Sequence, residues 1–256
     1  MPATSRAASR VLLLPEAFTP QARRALTRAD PTLAAMMRRV GPFRLQLRPL
    51  HSPFAALAES IVYQQLHGKA AASIFARLCE RVGKGARFTP EALLATPESA
   101  LREAGLSGAK AAAVKDLALK TQEGAVPTLA QVRRLSDEQL IERFSQVRGI
   151  GQWTVEMLLI FRLGRPDVLP VDDYAIRKGF GRLLGLKESP RPREVLEYGE
   201  RWRPWRTVAS WYLWRSLELP EPQVAPSGEV SSEPQSRQAR SSKARTSSAV
   251  TGRKSS

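Results

Sequence analysis

Two adjacent acids behind a proline are the first residues in this 256-residue chain whose types and spacing could do chemistry. The run Leu169-Pro170-Val171-Asp172-Asp173-Tyr174-Ala175-Ile176-Arg177 ends one segment at Pro170 and sets two carboxyls where the next helix begins. A carboxylate there can stabilise positive charge developing on a substrate. It can also orient or deprotonate an attacking water. The positive end of the helix dipole helps keep it ionised. Asp is also a favoured N-cap, and on residue types alone capping is the more ordinary role for such a pair.

The run begins 18 residues after Gly151, which belongs to the second informative stretch, Val147-Arg148-Gly149-Ile150-Gly151-Gln152-Trp153-Thr154. A helix ending near Gln146 precedes it and one from about Gln152 to Leu163 follows, so it reads as helix, tight hairpin, helix. Gly149 and Gly151 permit positive φ and close backbone approach, while Ile150 between them can plug into the core. The amides then point outward, and Gly149, Ile150, Gly151 and Thr154 become candidates to hold one phosphate at a helix N-terminus. Such a contact grips a nucleic-acid backbone and reads no base. A Gly-x-Gly turn between helices can equally be structural.

The elements that must position these residues are helical. From about Ser52 to Leu219 almost nothing alternates with period two, so the fold class is all-α. Asp30-Pro31 opens a helix through Arg39, and Ser52-Pro53 opens another through Gln64 with Phe54, Leu57 and Ile61 at helical spacing. Further starts stand at Thr89-Pro90, Thr96-Pro97, Ser107-Gly108, Pro127-Thr128 and Ser136-Asp137. Between Val40 and Arg48 a short extended segment fits, without support for a sheet. This gives an N-terminal extension over 1–29, a helical domain over 30–220 with its hairpin motif near 136–163, and a Ser-rich tail over 221–256. The tail is too poor in apolar residues to offset its ordering entropy and is expected to be disordered.

Composition narrows the partner. Forty Lys and Arg against 24 Asp and Glu leave +16, of which only +3 lies in residues 221–256. The folded part therefore carries a field suited to a phosphate backbone. One cysteine, Cys79, excludes an internal disulfide and an iron-sulfur cluster, and two histidines, His51 and His67, make an all-protein zinc site improbable. No apolar stretch nears the roughly 20 residues that span a bilayer, and Val11 to Leu14 is too brief for a signal core, so a cytoplasmic protein is expected.

Hairpin, intervening helix, Pro-containing turn and Asp-Tyr-x-Ile together resemble the helix-hairpin-helix (HhH-GPD) DNA glycosylase superfamily, and within it the 3-methyladenine DNA glycosylase II branch. Ser60-Ile61-Val62-Tyr63-Gln64-Gln65-Leu66, Trp153, and Trp202-Arg203-Pro204-Trp205-Arg206-Thr207 leading to Trp214 agree, over roughly residues 28 to 218. The resemblance implies two helical subdomains with a DNA cleft between them, without the mixed α/β domain that some relatives carry. It implies Asp173 as the acid, the Tyr-x-Ile fixing the register, and leaves Asp172 as cap or support. It further implies that the target base is flipped into a pocket. Trp153 and Trp214 would stack on that base, and Tyr63 and Met157 would line the pocket. A tryptophan face attracts a cationic base. Trp202, Trp205 and Trp211 read as core. Gln65 or Leu66 would be the wedge that enters the vacated stack, with His67 beside it exposed.

Related bifunctional glycosylases carry a nucleophilic lysine two positions after the second hairpin glycine, where this chain has Trp153. The resemblance thus implies a monofunctional enzyme that releases the base of alkylated purines (3-methyladenine, 7-methylguanine type) from double-stranded DNA, with water as co-substrate. It would act as a monomer, nucleoid-associated in a bacterium. No metal or other cofactor is implied beyond a monovalent cation bridging hairpin carbonyls to the phosphate. The competing readings are a non-catalytic duplex-DNA-binding protein and a glycosylase for a deaminated or oxidised base. A pocket without evident edge-reading polar groups favours alkylated purines over the last.

Overall fold

The computed structural model describes residues 12–13, 18–83 and 88–220. The expected disordered tail, 221–256, lies outside the described residues. Most helices start where a short polar side chain can satisfy a first-turn amide. Asp30 caps α2 (Pro31–Val40), Ser52 caps α3 (Pro53–Tyr63), Thr89 caps α5 (Pro90–Ala95) and Ser107 caps α7 (Gly108–Gln122). Thr128 and Ser136 form capping boxes with Gln131 and Gln139 at α8 (Leu129–Val132) and α9 (Asp137–Phe144). Between α3 and α5 lies α4 (Gly68–Gly83), and before α7 lies α6 (Glu98–Glu103).

Thr96 departs from the expected pattern: α6 starts behind Pro97 with no side-chain cap, and the Thr96 hydroxyl donates back to the Ala92 carbonyl at 2.7 Å. The segment after Pro127-Thr128 is only one turn, α8, not a full helix. The chain continues through α10 (Gln152–Phe161), α11 (Tyr174–Leu184), α12 (Pro192–Gly199), a 3-10 turn Glu200–Trp202 and α13 (Arg206–Ser216).

Two features lie where the sequence signals none. A helix, α1 (Phe18–Ala29), precedes Asp30 and packs Ala22 and Leu26 fully into the core against α2. The extended segment also finds a partner, since β2 (Gln46–Leu47) pairs antiparallel with β1 (Leu12–Leu13). A two-residue ladder whose partner lies over 30 residues away has no periodicity to announce it.

The helices pack as two groups, α3 to α7 on one side and α1, α2, α11, α12 and α13 on the other. The second group is tied by Asp30. Its Oδ1 accepts the Leu33 amide at 2.9 Å and its Oδ2 accepts Trp202 Nε1 at 2.9 Å, both partners being buried. Trp202 packs edge-on against Tyr198 and Phe180. Trp205 and Trp211 are buried as well, so all three tryptophans read as core are core. Asp30→Ala removes a cap and orphans a buried indole N–H, a combined loss of roughly 3 kcal/mol. We expect thermal melting to fall by about 10 °C; an unchanged melting temperature would refute this role.

Candidate active site

Asp173 is the N-cap of α11, and its Oδ1 accepts the Ile176 amide at 2.9 Å. Trp214 Nε1, from α13, donates to the same oxygen at 3.2 Å. Trp153 Nε1, from α10, donates to Oδ2 at 2.7 Å. Three donors from three helices thus fix one carboxylate. Of the two roles expected for Asp172, cap or support, the cap is corrected: the helix begins at Tyr174, so the side chain that reaches the Ile176 amide belongs to residue 173, and Asp172 is exposed.

The loop that delivers Asp173 is pinned by the start of α13. Arg206 Nε donates to Asp167 Oδ1 at 2.8 Å, the Val168 amide donates to Thr207 Oγ1 at 3.0 Å, and Thr207 Oγ1 donates to the Arg165 carbonyl at 2.6 Å. Ser210 Oγ adds a bond to the Val168 carbonyl at 3.0 Å. Gly179 completes the arrangement. A Cβ there would stand 2.4 Å from the Leu213 carbonyl oxygen, so only glycine lets α11 lie against α13 closely enough for Asp173 and Trp214 to meet.

In the hairpin, Gly149 has φ +79°, as expected, and Ile150 is buried as the plug. Gly151 differs from expectation: its φ of −98° is open to any residue, and a Cβ would point into open space. Its lack of a side chain therefore serves close approach alone. Two of the expected phosphate contacts are also revised. The Ile150 amide donates to the Val147 carbonyl at 3.0 Å, and the Thr154 amide to the Gly151 carbonyl at 3.0 Å, with the Thr154 side chain buried. Gly151 caps α10 without a side-chain bond, which leaves the first-turn amides of Gln152 and Trp153 without a side-chain cap. On the flanks of the turn, the Gln146 carbonyl accepts Lys120 Nζ and the Gly149 carbonyl accepts Gln64 Nε2.

Tyr63, Gln64, Gln65, Trp153, Thr154 and Met157 line a cleft of about 530 Å³, Trp153 being 45% exposed. Trp214 does not join them. It borders a neighbouring cavity with Phe161, against which its ring stacks at 5.7 Å, and it reaches the site through its indole N–H. Between the two lies a smaller cavity lined by Tyr63, Met157, Gln46 and Glu59. Glu59 is held by Arg48 and Arg162. Gln46 reaches this neighbouring cavity from β2 and Glu59 from α3, just before the Ser60–Leu66 motif. In the wedge segment, Gln65 and His67 are exposed and Leu66 is 39% exposed. Gln65 has φ +58°, a strained value for a non-glycine residue, and it alone of the three lines the cleft.

Glu156 is the residue that sequence reasoning missed. It is 5% exposed on the apolar helix α10, accepts Gln152 Nε2 at 2.9 Å, and lies within the field of the Asp172 and Asp173 carboxylates. Burial, aided by those two charges, pushes its carboxyl up to about 7. The available signal was an acid one turn beyond Trp153 inside Trp153-Thr154-Val155-Glu156-Met157-Leu158-Leu159.

A family model described as HhH-GPD superfamily base excision DNA repair protein matches residues 58–204, which hold the cleft-facing part of α3, the hairpin and Asp173. The chain belongs to this superfamily. Among its relatives, DNA-3-methyladenine glycosylase 1 of Schizosaccharomyces pombe is 43% identical over 167 residues, covering 65% of this chain and 73% of the relative. An alkylbase DNA glycosidase-like protein of the same yeast is 31% identical over 78% of this chain and 94% of its own length. The solved structure of the yeast 3-methyladenine DNA glycosylase in complex with abasic DNA superposes with a TM-score of 0.69 at 38% identity, covering 79% of this chain and 98% of that one.

The raised pKa of Glu156 fixes the sign of its contribution to stability. A carboxyl whose folded value lies above its unfolded one stabilises the fold fully below the unfolded value, near 4.5, and loses that contribution as pH rises through about 7. Between pH 5 and 8 the protein should lose on the order of 2 kcal/mol from this group. Glu156→Gln should flatten that slope in denaturant unfolding. Parallel pH profiles for the two proteins would contradict the assignment.

Proposed function

We infer that this chain is a monofunctional DNA glycosylase of base excision repair. It hydrolyses the N-glycosidic bond of alkylated purines in double-stranded DNA after base flipping and leaves an abasic site. The observation that carries this reading is the Asp173 carboxylate, gripped by two indoles and a helix amide beside an aromatic cleft, at the start of α11, one helix beyond the hairpin.

Bond cleavage develops positive charge on the sugar, and a fixed carboxylate needs no reorganisation to stabilise it. Oδ1 has both lone pairs filled, by the Ile176 amide and the Trp214 indole, whereas among the described residues Oδ2 accepts only from Trp153. Oδ2 is therefore the atom that meets the sugar cation or takes the proton of the attacking water. One acid suffices, because an alkylated purine is already cationic and departs neutral. The exposed face of Trp153 suits that cationic ring, with Tyr63 and Met157 beside it. Gly149, Gly151 and the first amides of α10 take a backbone phosphate, and the net charge of +16 favours duplex binding.

No amine stands at the nucleophile's position, which Trp153 occupies, so the product is free base and an abasic site without strand cleavage. The hairpin, Asp173 and the cleft all lie within one chain, which acts as a monomer wherever the cell keeps its DNA. Among the described residues no helix is long and apolar enough to cross a membrane.

The test is incubation with methylated duplex DNA. The protein should release 3-methyladenine and 7-methylguanine, borohydride should trap no covalent adduct, and Asp173→Asn should slow single-turnover release by at least about a hundredfold. Tight binding without release would favour the non-catalytic reading, and a trapped adduct would overturn the monofunctional one.

A further inference from the structure

The turn that carries Gln65 is braced from two directions. Helix α3 ends at Tyr63, and its last carbonyls lack helical partners. Lys110 Nζ, from the first turn of α7, donates to the Val62 carbonyl and to the Gln64 carbonyl, each at 2.7 Å. Gln64 Nε2 reaches across to the Gly149 carbonyl of the hairpin at 2.8 Å, 85 residues away in sequence. The hairpin is tied to the same helix α7. Asp116 Oδ2 accepts the Arg148 amide at 2.7 Å and Lys120 Nζ at 2.9 Å, and Lys120 also donates to the Gln146 carbonyl. Burial lowers the proton affinity of Lys110, as expected of an ammonium withdrawn from water onto two carbonyls.

The consequence is geometric. Gln65 sits at φ +58°, a conformation that persists only when its surroundings over-determine it. Here they do: the residue before it is bonded on its carbonyl by Lys110 and on its side chain to the hairpin. A phosphate seated on the hairpin amides is thereby held at a fixed offset from the residue that faces the base stack. Building on the proposed function, we propose that Gln64 and Lys110 are positioning residues that lock the Gln65 turn to the phosphate-binding hairpin, so that phosphate capture sets where Gln65 enters the stack.

A positioning role acts only through the residue it positions, and a double-mutant cycle isolates that. Gln64→Leu and Lys110→Met are each made in the full chain and again with Gln65→Gly, a residue that accepts φ +58° without strain. Two readouts are used. One is fluorescence of 2-aminopurine beside a tetrahydrofuran site in a duplex, which reports insertion into the stack without catalysis. The other is single-turnover excision of 7-methylguanine.

We expect either substitution to lower insertion and excision by about tenfold or more, since misplacement of this kind is costly. Affinity for undamaged duplex should change less than about threefold, because the hairpin amides remain. With Gln65→Gly the same substitutions should have less than about a twofold further effect, and Lys110→Arg should restore most of what Lys110→Met removes. Equal losses with and without the Gln65 side chain, or no loss of insertion, would overturn the proposal. If Lys110→Met does not fold, the Gln64→Leu cycle decides alone. Absence of excision by the unsubstituted protein would refute the proposed activity, and the insertion signal would still decide this inference.

Discussion

One carboxylate held from three directions is the constraint on which the rest of the site depends. Asp173 takes an amide from its own helix and an indole N–H from each of two others, so α10, α11 and α13 must converge to within hydrogen-bond distance of one side chain. That convergence explains features remote from the chemistry. Gly179 lets α11 touch the α13 backbone, Arg206 and Thr207 tether the loop before Asp173, and Asp30 ties α2 to the Trp202 cluster beneath α11. Preorganisation of this kind is spread over a whole packed unit, with short-range bonds passing it to two oxygens.

The charge distribution follows the same logic. The chain carries +16 in total, yet three acids, Asp172, Asp173 and Glu156, crowd the one place where a substrate develops positive charge. Such crowding in a partly dry site would be costly if all three were ionised. Burial relieves it by pushing the Glu156 carboxyl up to about 7, so that this group carries no charge below that pH. The basic surface draws in the polyanion, and the acidic centre receives the cation that bond cleavage creates.

How much of this was legible depended on the range of the interaction. Caps are local, and Asp30, Ser52, Thr89, Ser107, Thr128 and Ser136 all stood where their residue types placed them. The buried tryptophans and the Ile150 plug were equally readable from motif and pattern. The double duty of Asp173 was not, because an acid at a helix start offers capping and chemistry as alternatives, whereas a carboxylate has two oxygens and can do both. The separation of Trp214 from the Tyr63 cleft and the polar lining from Gln46 and Glu59 depend on how helices dock, which no spacing records. The α7 lysines were invisible for the same reason, since a lysine on a helix face looks solvated until a neighbouring helix ends beside it.

The most direct test of the central claim compares two duplexes that differ by one charge at the sugar. One carries a protonated pyrrolidine in place of the target sugar, the other a neutral tetrahydrofuran. If the held carboxylate of Asp173 exists to stabilise a sugar cation, the protein should bind the cationic duplex at least about tenfold more tightly, and Asp173→Asn should abolish that preference. A preference that survives Asp173→Asn undiminished would contradict the account.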